Sequence, residues 1–337
     1  MKKYLLIILS AICFFSCEKD YENDYIGNSL NDQFGDLIVY DSLRSSSEIF
    51  SFQSNNRNYF EAEWSKNLNW ELTITGTESN AQKIFSGFNS FLSIENSEWR
   101  GYADDFPSFK AEECIAELVL IDNESQLSMS TSITTSDLKS EQEDIFIVAD
   151  FEGGTPPQNS IEFSQAGASL SVVQGNAAKG SYFYAMGGNV SFDYYLGSIK
   201  IPFDNNEISS EIPSALVFFN MGIIGGAFGE VPTDQFVKIL ARENDGDVYV
   251  TSYDPVNWSD WQLKSLSYSE FELESFTDQT NGQHDPSEIF QIEVMCLSCP
   301  SSSAPDPNAP LCPENEDKTV KTDIDFIAFT INEAYKP

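Results

Sequence analysis

Short runs of alternating apolar and polar residues recur along the chain, and they constrain its fold more than any other feature. Residues 59–64 and 70–75 alternate strictly, residues 116–121 form a further apolar run, and clusters of Asn, Ser and Gly separate them. Between residues 37 and 133 no helical apolar stripe of useful length competes with this pattern. Alternation with a period of two is typical of β-strands. The sequence therefore predicts a β-sandwich over residues 36–138.

A second β-rich region follows a polar boundary. Residues 131–144 are rich in Ser, Thr, Asp and Glu, which predicts a linker at residues 139–144 and a second domain over residues 145–337. The Asp245-Gly246 pair predicts a hairpin turn between two of its strands. The strands predicted for this domain are residues 145–149, 215–220, 236–241, 248–253, 290–295 and 324–331.

The first seventeen residues have the layout of a secretion signal. Lys2 and Lys3 precede the apolar run 4–15, which is too short to span a bilayer, and Ser16 precedes Cys17. This segment resembles the lipobox of bacterial lipoproteins, which implies lipidation of Cys17 and anchoring to a membrane. The alternative is an ordinary signal peptide cut near Ser16.

The acidic stretch 17–35 is predicted to be a flexible tether, because it has too little apolar surface to fold. It resembles the segment that directs Bacteroidetes lipoproteins to the outer face of the outer membrane. The whole chain carries a formal net charge of −35. Nucleic acid is excluded as a partner, because its binding depends on Lys and Arg contacts to phosphates. Divalent cations are favoured instead.

Four cysteines beyond the signal region are disulfide candidates, since exported proteins commonly form disulfides. The spacing of the last three also resembles a zinc site, but residues 300–310 between them are rich in Ser and Pro, and His284, the only histidine of the chain, lies elsewhere. Cys312 is expected to pair with Cys296 or Cys299, and the choice is open. The candidates are Cys114, Cys296, Cys299 and Cys312.

Three motifs of the N-terminal region, at residues 70–74, 99–101 and 112–114, resemble the immunoglobulin-like modules of Bacteroidetes surface lipoproteins. Three others are similar to galactose-binding-like jelly rolls, a plan shared by many carbohydrate-binding modules. They are Asp150-Phe151-Glu152-Gly153-Gly154, Gly180-Ser181-Tyr182-Phe183 and Thr322-Asp323-Ile324-Asp325-Phe326. This second resemblance covers residues 145–335.

The jelly-roll resemblance implies a structural calcium ion between the first and last strands. It would bind Glu152 and Asp325, with Asp150 and Asp323 as alternates, and carbonyls or waters would complete its oxygen shell. The alternative is that these acids are solvated groups at strand ends.

A loop with three aromatic residues is the main candidate for ligand binding. Sugar rings stack on exposed aromatic faces, and their hydroxyls bind short polar groups. Trp258 is the predicted stacking residue, with Tyr253, Asn257 and Asp260 around it, and Trp261 is predicted to lie in the core. Tyr194 and Tyr195 form a second candidate. The alternative is that these aromatics cap the sandwich.

The residues do not predict an enzyme. A hydrolase with a Ser or Cys nucleophile usually needs a histidine base, and His284 lies in a turn-like loop. The resemblances imply a non-catalytic surface lipoprotein that binds glycan and is accessory to polysaccharide uptake, with an outer-membrane transporter as a further partner. The alternative function is structural or adhesive, with a protein or matrix partner.

Overall fold

A computed structural model gives the fold. It describes residues 35–52, 56–121, 126–137, 142–190, 195–204, 208–225, 235–253, 255–274, 281–298 and 318–337. Nearly all regular structure in these ranges is β-strand, and the predicted all-β class is confirmed. No helix in the described ranges is long and apolar enough to cross a membrane.

The N-terminal domain is one six-stranded sheet with the order β1-β3-β5-β6-β2, in which β4 also pairs with β3. The first half of β3 pairs with β1 and its second half with β5. The sheet folds over a single core, because β1 also contacts β6. Its strands are β1 Val39–Ser45, β2 Ile49–Ser51, β3 Phe60–Gly76, β4 Gln82–Leu92, β5 Glu113–Ile121 and β6 Gln126–Asp137, with the single-turn helix α1 Ile94–Ser97 after β4.

The strand β3 is longer than the two separate runs that its sequence predicted. The mostly polar residues 65–69 interrupt those runs, yet the alternation continues in phase from Trp64 through Lys66 and Leu68 to Trp70, and all four side chains are buried. Lys66 fits because its aliphatic stem can lie along apolar surface, while its Nζ donates a hydrogen bond to the carbonyl of Gly35 (3.4 Å).

The C-terminal domain consists of two six-stranded antiparallel sheets with one large apolar core between them. The predicted jelly-roll architecture is confirmed. One sheet has the order β15-β12-β18-β10-β9, with β7 also paired to β18, and the other has the order β16-β14-β13-β17-β11-β8. The strands are β7 Ile145–Ala149, β8 Ile161–Ser164, β9 Ala168–Gln174, β10 Tyr182–Val190, β11 Tyr195–Pro202, β12 Val217–Gly225, β13 Gln235–Glu243, β14 Val248–Tyr253, β15 Gln262–Ser267, β16 Glu272–Leu273, β17 Ile289–Ser298 and β18 Lys318–Ile331. Short 3-10 helices span Ser214–Leu216, Tyr268–Glu270 and Pro286–Glu288.

A segment between α1 and β5 joins the two domains. Trp99, Ala103 and Phe109 of this segment belong to the N-terminal core, whereas Phe106 packs with Phe326 and other residues of the C-terminal domain. Two main-chain hydrogen bonds reinforce the contact, from Ala103 N to Pro337 O (2.6 Å) and from Ser108 N to Ala178 O (2.8 Å). The two domains therefore meet at a small apolar cluster that is separate from the core of either domain.

Candidate functional site

A cleft of about 560 Å³ lies beside this interdomain cluster. One wall comes from the β3–β4 turn, from β4 and from residues 104–107 of the joining segment, and the other comes from the C-terminal domain. The lining residues are Ser79, Asn80, Gln82, Ile84, Asp104, Asp105, Phe106, Pro107, Asn176, Ala177, Phe183, Ile224, Ser259, Asp260, Trp261 and Asp323. Pockets between domains are frequent places for small-ligand binding.

Aromatic side chains form the floor of the cleft. Trp261 is buried, as predicted, and its ring meets that of Phe183 edge to face, with centroids 5.7 Å apart and an interplanar angle of 72°. Its Nε1 donates to the carbonyl of Asn176 (2.6 Å), which fixes the orientation of the indole. The ring of Phe106 closes the floor from the N-terminal side. The cleft thus has an ordered apolar base.

Short polar side chains form the rim. Asp104 accepts a hydrogen bond from Ile84 N (2.6 Å) and pairs with Lys83, and Asp105 accepts one from Leu263 N across the interface (2.6 Å). Asp260, which the sequence predicted as a ligand-binding residue, is exposed at the opposite wall. The rim therefore presents carboxylates from both domains.

Asp323 lies deeper in the same cleft. Its side chain is buried, and Lys321 Nζ is 3.5 Å from Oδ2. Burial raises the pKa of this carboxyl to about 6, although the positive charge of Lys321 acts in the opposite direction. Its environment therefore disfavours the charged form.

Glu112 orders the rim on the N-terminal side. Its carboxylate accepts hydrogen bonds from the main-chain N–H groups of Glu78 (2.6 Å), Ser79 (2.9 Å) and Lys110 (2.9 Å), and from Ser79 Oγ (2.5 Å). A Cβ at Gly76 would come within 2.5 Å of both Glu112 and Ser79, so only glycine permits this close approach. The β3–β4 turn is thereby held in place beside the cleft.

The predicted stacking residue Trp258 is not an open aromatic face. Its ring packs against the core, its Nε1 donates to Ile223 O (3.0 Å), and Lys264 Nζ lies 4.2 Å from the ring centroid. Tyr253 also packs against the core, with its hydroxyl buried without a hydrogen-bond partner, and burial raises its pKa. Asn257 is exposed. Trp258 and Tyr253 are half-buried, and the sugar-stacking role of this loop stays a prediction.

Tyr195 belongs to a polar network on the outer face of the second sheet. Its hydroxyl donates to Ser198 Oγ (2.7 Å), Ser198 donates to Glu293 (2.9 Å), and Arg242 donates to the other oxygen of Glu293 (2.9 Å). The Tyr195 ring lies 5.6 Å from that of Phe163, which is 59% exposed. Tyr194 lies outside the described residues. Of the two predicted tyrosines, only Tyr195 can therefore be placed, and it lies beside the exposed Phe163.

The residues predicted to bind calcium between the first and last strands converge only in part. Glu152 accepts hydrogen bonds from Ser181 N and Tyr182 N (both 2.9 Å), and Asp325 accepts one from Lys179 N (2.9 Å), so both hold the loop before β10. Burial raises the pKa of Asp325, and the nearby charge of Glu152 adds to the shift. Asp150 is exposed, and its Oδ1 accepts from Glu152 N (3.2 Å).

A different acidic group is compatible with calcium. In the described part of the chain, the one group of three possible ligands whose oxygens lie within 4.8 Å of one another is Glu243, Asp245 and Asp247. The sequence marked this stretch only as a hairpin turn. The calcium assignment to Glu152 and Asp325 stays a prediction.

Cys114 and Cys296 are free, buried thiols, in contrast to the predicted disulfides. They belong to the separate cores of the two domains and cannot pair with each other. Burial raises the pKa of each thiol to about 12. Cys299, Cys312 and the predicted lipidation site Cys17 lie outside the described residues.

No protein-family model and no curated protein sequence matches the chain. Among solved structures, the tandem CBM22-1–CBM22-2 domain of Paenibacillus barcinonensis Xyn10C is similar over 90% of this chain and 95% of its own, with 9% identity and a TM-score of 0.32. A sialidase is similar over 87% of this chain and 32% of its own, with 9% identity and a TM-score of 0.30. The CBM51-2 and INT domains of Clostridium perfringens ZmpB are similar over 87% of this chain and 49% of their own, with 9% identity and a TM-score of 0.22.

Proposed function

We propose that the protein is a non-catalytic surface lipoprotein that binds glycan in the interdomain cleft. The observation that carries the proposal is the pairing of an ordered aromatic floor with a rim of short polar groups. Trp261 and Phe183 are buried, so they supply a rigid apolar base to the cleft rather than an open stacking face. The exposed side chains of Asp260 and Asn80 offer hydrogen-bond partners to sugar hydroxyls.

The roles of the carboxylates favour binding over catalysis. Glycoside hydrolysis by two carboxylates requires one group as acid and another as base or nucleophile, placed across the scissile bond. Asp104 and Asp105 instead accept hydrogen bonds from main-chain N–H groups. Two of the four aspartates in the cleft therefore serve structural contacts.

The first test is a glycan array with the purified protein, followed by calorimetric titration of the best ligand. Gln82→Ala and Asp260→Ala remove exposed polar groups from opposite walls of the cleft. Each substitution removes one hydrogen bond between the protein and the sugar. Binding is therefore expected to weaken about tenfold. Incubation with the same glycan should release no shorter product, as chromatography would show.

The matched control is Asn257→Ala, because Asn257 is exposed in the same loop as Asp260 but does not line the cleft. It should bind as the wild type does. If Asn257→Ala or Trp258→Ala weakens binding while Gln82→Ala does not, the site lies in the loop that the sequence indicated. If no glycan binds, the adhesive alternative replaces the proposal.

The anchoring part of the proposal rests on the signal-like residues 1–16 and on Cys17. The acidic residues that follow support display at the outer face of the outer membrane, beside a transporter. Cys17→Ala is expected to move the protein from the membrane fraction to the soluble fraction, and mass spectrometry should find acyl chains on the wild-type N-terminus. Membrane retention of the variant together with an unmodified wild-type N-terminus would contradict lipidation.

A further inference from the structure

The turn between β13 and β14 concentrates negative charge inside the C-terminal domain. Its carboxylates, from Glu243, Asp245 and Asp247, place their oxygens within 4.8 Å of one another, and Glu243 and Asp247 are buried. Like charges at this spacing repel strongly when water is excluded. No lysine or arginine in the described ranges forms an ion pair with Glu243 or Asp245. Burial and the neighbouring charges of Asp245 and Asp285 raise the pKa of Glu243 to about 7, so either a bound cation or a proton relieves the repulsion.

Two buried oxygens at this turn lack hydrogen-bond partners among the described residues. Glu243 is 1% exposed; its Oε1 accepts from Tyr268 OH and from Asp285 N (both 2.8 Å), but its Oε2 accepts from no donor. The hydroxyl of Tyr249, which is 0% exposed, is also unpartnered, and the charges that act on it are those of the same three carboxylates. Unsatisfied buried oxygens of this kind are costly and therefore need an explanation.

The surrounding residues hold the carboxylates in position. Asp245 accepts hydrogen bonds from Asn281 Nδ2 (2.5 Å) and from Asp247 N (3.0 Å), and Asp247 accepts one from Gly282 N (2.8 Å). The positive φ of Gly246 (104°) lets the turn bring all three acids to one side. Asn281 and Gly282 therefore act as an outer shell.

We propose that this turn binds a calcium ion. The ligand atoms are all oxygens and three are carboxylates, which suits a hard cation and excludes thiolate or imidazole coordination of zinc at these three positions. The imidazole of His284 makes other contacts: its ring stacks on that of Tyr249 (centroids 4.0 Å apart), and its Nε2 contacts the carbonyl of Phe271 (2.7 Å). Calcium is favoured over magnesium, because magnesium requires near-ideal octahedral coordination and three acids from one tight turn do not impose an octahedron.

The ion would connect the β13–β14 turn with the segment 281–285, because the carboxylates that bind it also accept hydrogen bonds from Asn281, Gly282 and Asp285. This role is separate from the glycan cleft, none of whose lining residues belongs to the turn. Failure of either proposal therefore leaves the other intact.

The test uses the purified protein after treatment with chelator and removal of the chelator. Calcium chloride should raise the melting temperature by several degrees at saturating concentration, and calorimetry should find binding at this turn. Asp245→Asn keeps the shape of the side chain and removes one ligand charge, so it should weaken calcium binding at least about tenfold, while circular dichroism shows an unchanged fold. Asn281→Ala should weaken binding about tenfold through the outer shell.

The matched control is the pair Asp150→Asn and Glu152→Gln, which changes the acids that the sequence indicated. These variants should retain the calcium binding at the β13–β14 turn that Asp245→Asn weakens. Terbium provides a second readout, since an ion at the turn should be sensitised by Tyr249 or Tyr268, and Asp245→Asn should abolish that emission. If calcium leaves the melting temperature unchanged, or if Asp150→Asn and Glu152→Gln abolish binding while Asp245→Asn does not, the proposal is overturned.

Discussion

Glu112 and Glu243 are buried carboxyl groups in the two domains, and their surroundings differ sharply. Glu112 is 3% exposed and receives four hydrogen bonds, three from Glu78 and Ser79 of the β3–β4 turn and one from Lys110 before β5. Glu243 is equally buried, stands beside two further acids, and has one oxygen without a donor. A buried carboxylate can be stabilised by N–H and O–H donors or by a cation. The N-terminal domain uses the first solution, and the second is our proposal for the C-terminal domain.

The pKa of Glu112 reflects the first solution. Burial alone would raise it, but the hydrogen bonds from Ser79 and from the N–H groups of Lys110, Ser79 and Glu78 outweigh burial and lower the pKa below 4.5. The folded protein therefore prefers the charged form of Glu112. This charge is structural and requires no metal.

The largest effect is expected from Glu112→Gln, which removes the charge and sets an amide NH₂ against N–H donors. Hydrogen bonds to charged groups contribute about 1.5–3 kcal/mol each, and several are weakened together. The variant should lose about 3 kcal/mol of unfolding free energy at neutral pH, measured by urea denaturation. A loss below about 1 kcal/mol would show that the four donors are satisfied equally well by a neutral group.

The pH dependence provides the control for this variant. Because the folded pKa of Glu112 is lower than the unfolded pKa of about 4.5, the folded state binds fewer protons in the window between the two values. The stabilising contribution is therefore fully present above pH 4.5 and is lost as the pH falls through the folded pKa. Glu112→Gln should lack this component, so its stability should differ less from that of the wild type at low pH than at pH 7.

Much of the fold could be predicted from local pattern. The alternation at residues 70–75 and the Asp245-Gly246 turn each appear in the structure where the sequence indicated, as parts of β3 and of the β13–β14 hairpin. These features depend on residues that are close in sequence, so they can be predicted from the sequence alone. Trp261 was also placed correctly in the core.

The candidate sites were less accessible to sequence reasoning. The cleft combines Asn80 and Asp105 of the N-terminal domain with Asp260 of the C-terminal domain, and these residues meet only because the two domains dock. A local signal that could have indicated the cleft is the Phe106-Pro107 pair, which stands between polar residues at 104–105 and 108. Trp258 has the residue type of a sugar platform, but whether a loop indole faces outward depends on partners such as Ile223 O.

The acidic turn illustrates the same limit. The residues Glu243, Asp245 and Asp247 look like a solvated hairpin in the sequence, where acids are abundant. Their distinction comes from Tyr268 and Asn281, which cover and hold them from elsewhere in the chain. Burial and an unsatisfied oxygen, both properties of the tertiary fold, separate this turn from other acidic turns.

Cys114 and Cys296 allow the two domains to be compared in one experiment. The expected change in their reactivity is the smaller effect. Each thiol is buried in the core of its own domain, and burial raises both pKa values to about 12, so neither should react with iodoacetamide until its domain opens. Calcium at 100 times its dissociation constant adds at most about 2.7 kcal/mol to the state that binds it. Alkylation of Cys296 should therefore slow by up to about 100-fold, and that of Cys114 by less, as peptide mass spectrometry can measure for each residue.

The comparison between the two thiols distinguishes local from shared stabilisation. If the interdomain cluster around Phe106 makes the domains unfold together, calcium should protect Cys114 as strongly as Cys296. Phe106→Ala should then separate the two responses, because it removes the aromatic contact that joins the domains. Asp245→Asn should reduce the calcium protection of both thiols by about tenfold or more, whereas Glu112→Gln should accelerate labelling of Cys114 with or without calcium. Protection of Cys114 alone would contradict a calcium site in the C-terminal domain, since no acid of the β13–β14 turn belongs to the core around Cys114.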